Sequence, residues 1–489
     1  MRRVAIVGGG FTGAAAAIRL SRAATAPLDI SVIEPRDRLG AGLAYDDADP
    51  DHRVNGPADL LVLFPDERRA FADWFEASGG HARDPEALWR PSGVTYVRRA
   101  EVACWMERLL AHEAAHGASG ARIRHLRDRA TGLTRTACGW RVGLAGGGAA
   151  EAETVVLALA GQAPGLPRGV SAETAARPGF VRDPLDAAAL ARLPAGASVL
   201  LIGVGLTAAD VIATLARQGH RGPITAVSRR GLRPAAAGAP TDVAALLARL
   251  AEPMPRFLRR HGEGLGLMAA FRALRADLAA AAIEGRDLKA PFDDARDAAS
   301  RLWPGFTEAE KGRFLRHLKP WYDTLRYRMV PQTGAVLARL EAEGRLAFRV
   351  ARVAGVEAEG EGFRVRLVGR GGHETAARFD AVVNCTGPRA MGDDPFFAGL
   401  VRDGHARADP FGLGVEVDDL CRVLDAGGRA QADLRAYGLI TRARFGDMTA
   451  IPQIALQLNR TLPDLVAAAT GAARPESGVE SGAVEAGAG

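Results

Sequence analysis

The sequence predicts an α/β protein with two Rossmann-like dinucleotide-binding units and a helical insertion. Two short apolar runs each end in a glycine-rich turn and pass into a helical pattern, at residues 4–20 and 198–218. Two further apolar runs end in small residues, at 154–161 and 380–388. Buried strands that alternate with helices indicate a parallel sheet. A chain of 489 residues is too long for a single core, so we expect two or three domains.

The first turn reads Gly8-x-Gly10-x-x-Gly13 and joins the strand at residues 4–7 to the helix at 14–20. In such a turn Gly8 permits the sharp bend, Gly10 lets the backbone approach a pyrophosphate, and Gly13 allows close packing of helix on strand. The free N–H groups at the helix start then face the phosphates. The alternative is a glycine-rich turn of an ordinary α/β protein, since the chain contains 58 glycines.

A second apolar strand at residues 30–33 ends in Glu34. Glu34 lies 21 positions after Gly13, where a carboxylate is suited to accept hydrogen bonds from an adenosine ribose. Strand, turn, helix, second strand and terminal acid follow the order that a dinucleotide site requires. This order favours a dinucleotide site over a chance turn.

Two later positions are candidates for contact with a bound cofactor. Asn55 stands among Val, Gly and Pro in a polar loop, where its amide could hydrogen-bond a ring edge or merely hold the turn. The strand at 154–161 ends at Gly161, which would let the backbone lie against a cofactor, although packing alone also explains a small residue there.

The second turn follows the strand at residues 198–202 and reads Gly203-x-Gly205, with Ala208 in the third position. Alanine is a substitution that the dinucleotide pattern admits at this place. The sequence therefore predicts a second nucleotide site, followed by a helix that ends near Gln218.

The strand after the second turn, residues 224–227, ends in Ser228 and Arg229 instead of an acid. Glu34 would repel a 2′-phosphate, whereas Ser228 and Arg229 would bind one, because guanidinium recognises phosphate with two parallel hydrogen bonds. This contrast predicts NADPH in preference to NADH. The alternative is a pair of solvated arginines, Arg229 and Arg230, on a surface turn.

Residues 234–302 are rich in Ala, Leu and Arg with helical spacing, and they predict helices inserted between the halves of the second unit. The stretch at 313–331 is the most basic and aromatic of the chain. Its Arg326 and Arg328 are candidates for gripping an anionic or planar ligand by charge and stacking. An amphipathic helix with its aromatic side chains in the core is the alternative.

Residues 380–388 repeat the pattern of 154–161 and include Gly387. This repeat predicts that the chain returns to its first sheet here. From Ser477 the tail is mostly Gly, Ala, Ser, Val and Glu, which predicts disorder.

Composition sets outer limits on the function. The 63 basic and 57 acidic residues are spread along the chain, so the net charge of +6 indicates no nucleic-acid partner. No stretch approaches 18 uninterrupted apolar residues, which predicts no membrane span and a cytoplasmic protein. The four cysteines are widely separated, which argues against a redox-active disulfide and a Cys-rich zinc site, and we expect no metal.

Four further segments resemble a bacterial FAD/NAD(P)-binding family that includes FAD-dependent urate hydroxylases and flavin-dependent aspartate N-monooxygenases. The resemblance covers about residues 1 to 460. The segments are Gly42-Leu43-Ala44-Tyr45, Asp51-His52-Arg53-Val54-Asn55, residues 321–328 (WYDTLRYR) and residues 438–452 (GLITRARFGDMTAIP).

The resemblance implies FAD on the first turn, with Gly8, Gly10, Gly13 and Glu34 at its ADP half. It also implies that Asn55 and the segment from Gly438 to Thr441 approach the flavin. Related flavoproteins carry an Asp for the ribityl chain where this sequence has Leu439. The implied domains are an FAD domain at 1–170 and 375–467, an NAD(P) domain at 190–370 with a helical insertion at about 234–330, and a disordered tail at 470–489.

Together with these cofactors, the resemblance implies an NAD(P)H-consuming, single-component monooxygenase. It would use molecular oxygen to hydroxylate a small polar substrate at carbon or nitrogen through a C4a-hydroperoxyflavin. Asn55, Arg326 and Arg328 are the candidates near the chemistry. One alternative is a flavin reductase or oxidase that passes electrons to an external acceptor, and another is a non-enzymatic redox sensor. The substrate and the oligomeric state are left open.

Overall fold

The computed structural model describes residues 1–46, 49–117, 119–161, 164–235, 249, 252 and 254–472. The predicted disordered tail lies outside the described residues from 473 onward, and so do residues 236–248 of the predicted helical insertion.

The chain up to residue 217 contains eleven strands and eight α-helices among its described residues. In chain order they are β1 (Arg2–Val7), α1 (Phe11–Ala23), β2 (Leu28–Ile33), α2 (Gly42–Tyr45), α3 (Ala70–Ala77), α4 (Gly80–Arg83), β3 (Leu88–Trp89), β4 (Val94–Thr95), α5 (Arg99–His116), β5 (Arg122–Leu126), β6 (Ala130–Thr136), β7 (Gly139–Leu144), β8 (Ala149–Ala152), β9 (Thr154–Leu157), α6 (Ala172–Ala175), β10 (Phe180–Val181), α7 (Ala187–Ala191), β11 (Val199–Ile202) and α8 (Leu206–Arg217).

The described part of the chain after α8 begins and ends with regular elements around a helical region. Its elements are β12 (Ile224–Ser228), α9 (Arg256–His261), α10 (Leu267–Ile283), α11 (Lys289–Leu302), α12 (Glu308–Arg313), a π-helical turn (Phe314–Leu318), α13 (Lys319–Arg326), α14 (Pro331–Ala342), β13 (Leu346–Glu359), β14 (Gly362–Gly369), β15 (Glu374–Phe379), β16 (Ala381–Asn384), α15 (Pro395–Arg402), β17 (Arg422–Leu424), β18 (Ala430–Ala436), α16 (Arg442–Phe445) and α17 (Ile451–Thr470). Short 3₁₀ turns lie at Ala58–Leu60, Trp303–Gly305, Met391–Asp393 and Gly438–Ile440.

The fold is α/β with two Rossmann-like units, as the sequence predicts. The first sheet has the strand order β17-β18-β9-β1-β2-β5. Its strands are parallel except for β17, which pairs antiparallel with β18. Apolar side chains cover both faces of this sheet, one face packing on α1 and α17 and the other on α15 and the hairpin of β6 and β7. The strands at the centre are therefore buried on both sides and read as continuous apolar runs.

The second sheet has the order β10-β16-β11-β12-β13-β14-β15. Strand β13 is long enough to pair with a different neighbouring strand along each of its halves. Its first half pairs parallel with β12, and its second half pairs antiparallel with β14. Both faces are again covered by buried apolar side chains, with α8 and α14 on one of them.

The prediction that residues 380–388 return to the first sheet is wrong. Strand β16 pairs in parallel with β11 in the second sheet, with Leu200 opposite Val382. It takes the place beside β11 that β9 takes beside β1, and this equivalent position explains the similar sequence pattern. The chain rejoins the first sheet only at β17 and β18, and Leu434 of β18 lies opposite Val155. The predicted boundaries at 370 and 375 therefore fall too early, because β15 and β16 belong to the second sheet.

The helical region between β12 and β13 has a core of its own. Helices α9 to α11 and the 3₁₀ turn that follows them bury Phe257, Leu267, Ala298, Leu302 and Trp303 against one another. Between residues 256 and 326 the insertion predicted at about 234–330 thus consists of helices joined by short loops. No helix within the described ranges is both long and apolar enough to cross a bilayer.

Candidate functional site

The first glycine turn has little room for side chains. Gly8 has a φ of +100°, and a Cβ there would lie 2.5 Å from the carbonyl oxygen of Ala158. A Cβ on Gly13 would lie 1.9 Å from the carbonyl oxygen of Gly8. Both glycines are therefore required by the crossing of α1 over β1 and β9. This is the role that the sequence predicts for them.

Gly10 differs from its two neighbours because space remains beside it. It is the N-cap of α1, with extended backbone (φ −68°, ψ −169°) and no side-chain capping hydrogen bond. A Cβ at Gly10 would lie 3.4 Å from Cα of Gly42, which is ordinary van der Waals contact. The first N–H groups of a helix have no intrahelical acceptor, so the start of α1 is suited to bind an anion.

Glu34 is buried and directly follows β2, beside this turn. Its Oε2 accepts a hydrogen bond from Gly9 N at 3.0 Å. Its Oε1 accepts from the backbone N–H and the guanidinium of Arg36, at 3.1 and 3.0 Å. A carboxylate has about four acceptor positions. One position on Oε2 therefore remains for a further donor such as a ribose hydroxyl.

The late segment lies against the start of α1. Gly438 has a φ of +73°, and a Cβ there would lie 2.7 Å from Thr12 Oγ1. Gly438 N donates to Gln457 Oε1 at 2.8 Å. Thr441 is fully buried, donates to the carbonyl of Gly438 and accepts from Gln457 Nε2. The Thr441 hydroxyl thus holds the turn at Gly438. Gln457 was missed by sequence reasoning, and its signal is a polar side chain on the apolar face of α17.

Gly161 and Leu439 are brought together near this turn. A Cβ at Gly161 would lie 3.0 Å from Cβ of Pro388 and 3.9 Å from a Leu439 methyl group. Leu439 packs against the buried core on the other side of the first sheet. The position where related flavoproteins carry Asp is therefore part of an apolar contact.

Asn55 is exposed, and no hydrogen bond of its side chain to the described residues is found. The residues just before it have structural roles that sequence reasoning missed. Thr214 of α8 donates its hydroxyl to Asp49 at 2.7 Å and lies 3.0 Å from His52 Nε2. Arg217 of α8 donates to Asp51 and Asp49. This loop of the first unit therefore holds α8 of the second.

Burial raises the pKa of Asp51, and the Arg217 guanidinium offsets only part of that effect. Two positions along the loop, Arg53 is buried and donates to both carboxylate oxygens of Asp84, at 2.7 and 3.0 Å. The segment that resembles the flavoprotein family is thus held by two ion pairs just before Asn55, one to each unit.

The second turn has nearly the same backbone conformation as the first. Gly203 has a φ of +128°, and a Cβ there would lie 2.3 Å from the carbonyl oxygen of Cys385. Gly205 is the N-cap of α8, with φ −76° and ψ −170°, and nothing lies within 4 Å of a Cβ placed on it. Ala208 is buried in the helix interface. Gly387, beyond β16, has a φ of +86° and open space around it.

A cavity of about 390 Å³ lies beside the second turn. Gly205, Ser228, Arg229 and Arg230 line it. Arg229 is exposed, and no hydrogen bond or ion pair to the described residues is found for it. The Ser228 hydroxyl accepts from Gly231 N at 3.0 Å. The two residues that the sequence selects for a 2′-phosphate therefore share one cavity with the turn.

Arg326 and Arg328 each have a carboxylate partner. Arg326 Nε donates to Asp447 Oδ2 at 2.5 Å, and Arg328 donates to both oxygens of Asp293, at 2.7 and 3.2 Å. Thr449 also donates to Asp447. Burial alone would raise the pKa of Asp447, but the Arg326 charge and the Thr449 hydroxyl hold it below its usual value. These ion pairs compensate both guanidinium charges, so neither arginine is a ready anion site.

A second cavity, of about 510 Å³, lies between the helical insertion and the late segment. Its walls are mainly apolar and aromatic, and Phe292, Trp303 and Phe314 are among them. Arg442 and Asp447 contribute from the late segment. Asp323 and Tyr327 line both this cavity and the one beside the second turn, so α13 and the residue after it form a wall between the two.

Comparisons with solved structures agree with this fold. Ornithine N-hydroxylase from Kutzneria sp. 744 is 16% identical, with a TM-score of 0.63 over 95% of this chain and 99% of that chain. L-lysine 6-monooxygenase from Pseudomonas syringae is 19% identical, with a TM-score of 0.59 over 96% and 99%. The cadaverine monooxygenase from Erwinia amylovora is 13% identical, with a TM-score of 0.57 over 97% and 96%. At these identities the likeness is one of fold.

No curated protein matches the sequence. Residues 5–162 match the model of a protein family described as FAD-NAD(P)-binding. The matched residues contain the first glycine turn, Glu34, Asn55 and Gly161. The first unit is therefore similar to FAD-NAD(P)-binding domains over nearly all of its N-terminal part.

Proposed function

We propose that this chain is an FAD-dependent, NAD(P)H-consuming monooxygenase that hydroxylates a small molecule at carbon or nitrogen. The observation that carries the proposal is the pair of glycine turns with the same backbone geometry on two sheets, one beside Glu34 and one beside Ser228 and Arg229. Solved structures of similar fold include hydroxylases of ornithine and lysine and a cadaverine monooxygenase, and this likeness supports a small polar substrate. The sequence segments shared with urate hydroxylases and aspartate N-monooxygenases support the same reaction class.

The residues at the first turn fit the ADP half of FAD. Gly10 leaves space at the start of α1, and the N–H groups there would bind the pyrophosphate. Glu34 would accept a ribose hydroxyl on the free position of Oε2. The turn at Gly438 borders the same helix start, and Gly161 lies beside Leu439 of that turn, so both would lie along the cofactor. Asn55 would approach the flavin ring, and Leu439 would offer no ribityl hydrogen bond.

Bound FAD supplies the capacity to take a hydride from NAD(P)H and to react with oxygen when reduced. The chain's own residues would bind the cofactors, orient the substrate and exclude water from it. Ser228 and Arg229 would hold a 2′-phosphate of NADPH at the 390 Å³ cavity. The apolar walls of the 510 Å³ cavity keep water from a substrate. The partly buried ion pair of Arg326 with Asp447 fixes the late segment against the helical insertion.

The two turns allow a matched test, because Gly10 and Gly205 are equivalent N-cap positions with room for a side chain in the protein itself. Gly10→Val should purify without bound flavin. Gly205→Val should keep its flavin but lose NADPH oxidation. The measurements are the flavin absorbance of the purified proteins and NADPH consumption with oxygen uptake. Full flavin occupancy in Gly10→Val would overturn the assignment of FAD to the first unit.

Product analysis separates the proposal from its two alternatives. A monooxygenase forms a hydroxylated product and consumes NADPH faster when its substrate is present. A reductase or oxidase consumes NADPH at a rate that no candidate substrate changes, and it forms no hydroxylated product. A redox sensor holds FAD without steady turnover of NADPH.

A further inference from the structure

The 510 Å³ cavity contains a guanidinium without an ion-pair partner. Arg442 lines the cavity, its Nε is buried without a hydrogen-bond partner, and no carboxylate among the described residues pairs with it. The other arginine that lines the cavity, Arg328, is paired with Asp293. An uncompensated cation in an apolar site attracts an anion strongly, since little water is present to screen the charge.

Tyr322 adds a second unmatched polar group to the same cavity. Its ring packs between Phe292 and Phe314, with centroids 5.8 and 5.7 Å away. Its hydroxyl is buried and has no hydrogen-bond partner among the described residues. Burial raises the pKa of Tyr322 above its ordinary value, so the hydroxyl keeps its proton and is available as a donor. A buried donor without an acceptor is costly, and a bound oxygen atom would remove that cost.

The carboxylates of this cavity are already engaged. Asp447 pairs with Arg326, and Asp323 pairs with Lys319. The Asp287 carboxylate accepts from the backbone N–H of Lys289. Lys289 itself lines the cavity, and no ion pair joins it to a described carboxylate. The groups that lack partners are therefore donors and cations, whereas a ligand's ammonium group would find mostly compensated carboxylates.

The cavity also borders the segment that packs on the start of α1. Arg442 directly follows Thr441, whose hydroxyl holds the turn at Gly438 against Thr12 of α1. Trp303 of the cavity wall donates its indole N–H to the carbonyl of Ala443 at 3.0 Å. A ligand beside Arg442 would therefore lie close to the turn at Gly438, which packs on the helix start assigned to FAD.

We propose that this cavity binds a small carboxylic acid with an apolar, aromatic-sized body, and that Arg442 and the Tyr322 hydroxyl hold the carboxylate. The apolar walls bind the body of the ligand, and the carboxylate is the polar group of the substrate. That the ligand is the substrate rests on the monooxygenase function proposed above, but binding of the acid does not depend on turnover.

The test uses three ligands that share a phenyl body and differ in their polar group: 3-phenylpropionate, its amide 3-phenylpropanamide, and 3-phenylpropylamine. Isothermal titration of the purified protein without NADPH should give the acid at least about tenfold tighter binding than the amide or the amine, because the amide offers Arg442 only a neutral acceptor and the ammonium group offers none. Equal or tighter binding of the amide or the amine would overturn the proposal, and this comparison needs no variant.

Arg442→Ala should weaken binding of the acid by about ten- to a hundredfold and abolish the preference for it over the amide. Tyr322→Phe should weaken it by about fivefold. Arg444→Ala is the matched control, because Arg444 lies two residues along the same short helix but pairs with Asp419 outside the cavity. The control should bind the acid like the wild type. An unchanged preference for the acid in Arg442→Ala would contradict the assignment.

Two further readouts separate this inference from the proposed function. Acid that binds selectively while NADPH is never consumed leaves the cavity assignment intact and overturns the monooxygenase proposal. Substrate-stimulated NADPH consumption with a hydroxylated product, but without selective acid binding, does the reverse. Loss of bound flavin in Arg442→Ala, with the acid preference unchanged, would assign Arg442 to the cofactor and overturn the carboxylate site.

Discussion

The two dinucleotide turns share a backbone and differ in their side chains. Gly8 and Gly203 both have a positive φ. A Cβ added to either glycine would lie within 2.5 Å of a carbonyl oxygen at the end of the neighbouring strand. Gly10 and Gly205 cap their helices with nearly equal φ and ψ. The conserved geometry is therefore imposed by three strands and a helix meeting at one point, in both units alike.

The differences concern what each turn can hold. The second strand ends in buried Glu34 in the first unit and in Ser228 with exposed Arg229 in the second. The third fingerprint position is Gly13 in one unit and Ala208 in the other. Under the proposed function, the common backbone geometry would provide a place for a pyrophosphate, and the side chains after the second strand would select the rest of the nucleotide.

The largest effect is expected at the third fingerprint position. Gly13→Ala would place Cβ 1.9 Å from the carbonyl oxygen of Gly8, so that backbone must move. We expect a loss of about 3 kcal/mol of stability, together with the flavin. The reverse change in the other unit, Ala208→Gly, should cost only about 1 kcal/mol, from helix propensity. Urea unfolding followed by circular dichroism measures both, and equal losses would show that the two turns are packed alike.

The junction between the two units should come next. Thr214→Val removes the hydroxyl that donates to Asp49 and contacts His52, and it leaves buried polar groups without this partner. We expect the free energy of unfolding to fall by about 2 kcal/mol. Thr214→Ser keeps the hydroxyl and is the control, so its loss should be clearly smaller. If valine and serine behave alike, the hydrogen bond does not stabilise the junction.

A smaller effect is expected where the two units differ in charge. Arg229→Ala should raise KM for NADPH about tenfold and leave KM for NADH nearly unchanged, because only NADPH carries the 2′-phosphate. Steady-state kinetics with both nucleotides test this. Arg221→Ala is a matched control, since Arg221 is exposed near the opposite end of β12 and does not line the cavity. Wild-type protein that uses NADH better, or a variant equally impaired with both, would contradict the role of Arg229.

The smallest effect concerns the second junction, between Arg326 and Asp447. The pKa of Asp447 is lowered in the folded protein, so its contribution to stability is present above the unfolded value of about 3.9 and is lost as the pH falls through the lower folded value. The stability difference between wild type and Asp447→Asn should therefore shrink as the pH drops below about 4. Urea unfolding at several pH values measures it, and a difference that stays constant with pH would exclude this linkage.

Local sequence alone determined much of the geometry of the two glycine turns. The turns, the helices after them and the ends of the second strands lie where the sequence predicts, because each depends on neighbouring residues: a positive φ or a close backbone approach requires glycine at a fixed spacing. The nucleotide-binding roles of the residues after those strands stay predictions. The contrast of Glu34 with Ser228 and Arg229 is also visible in the sequence, since both follow a strand directly.

Only the tertiary structure decided which strands and charges meet. Strand β16 has the sequence of a central strand and fits either sheet by pattern, so only its pairing with β11 assigns it. Strand β18, which does return to the first sheet, is not a continuous apolar run, because Gln431, Asp433 and Arg435 alternate with apolar residues in it, and it gave no such signal. Arg326 and Asp447 are 121 positions apart, so their ion pair, and the unpaired state of Arg442 beside it, depends on how the helical insertion packs on the late segment. Packing determines which residues distant in sequence come into contact, and no local sequence pattern indicates that packing.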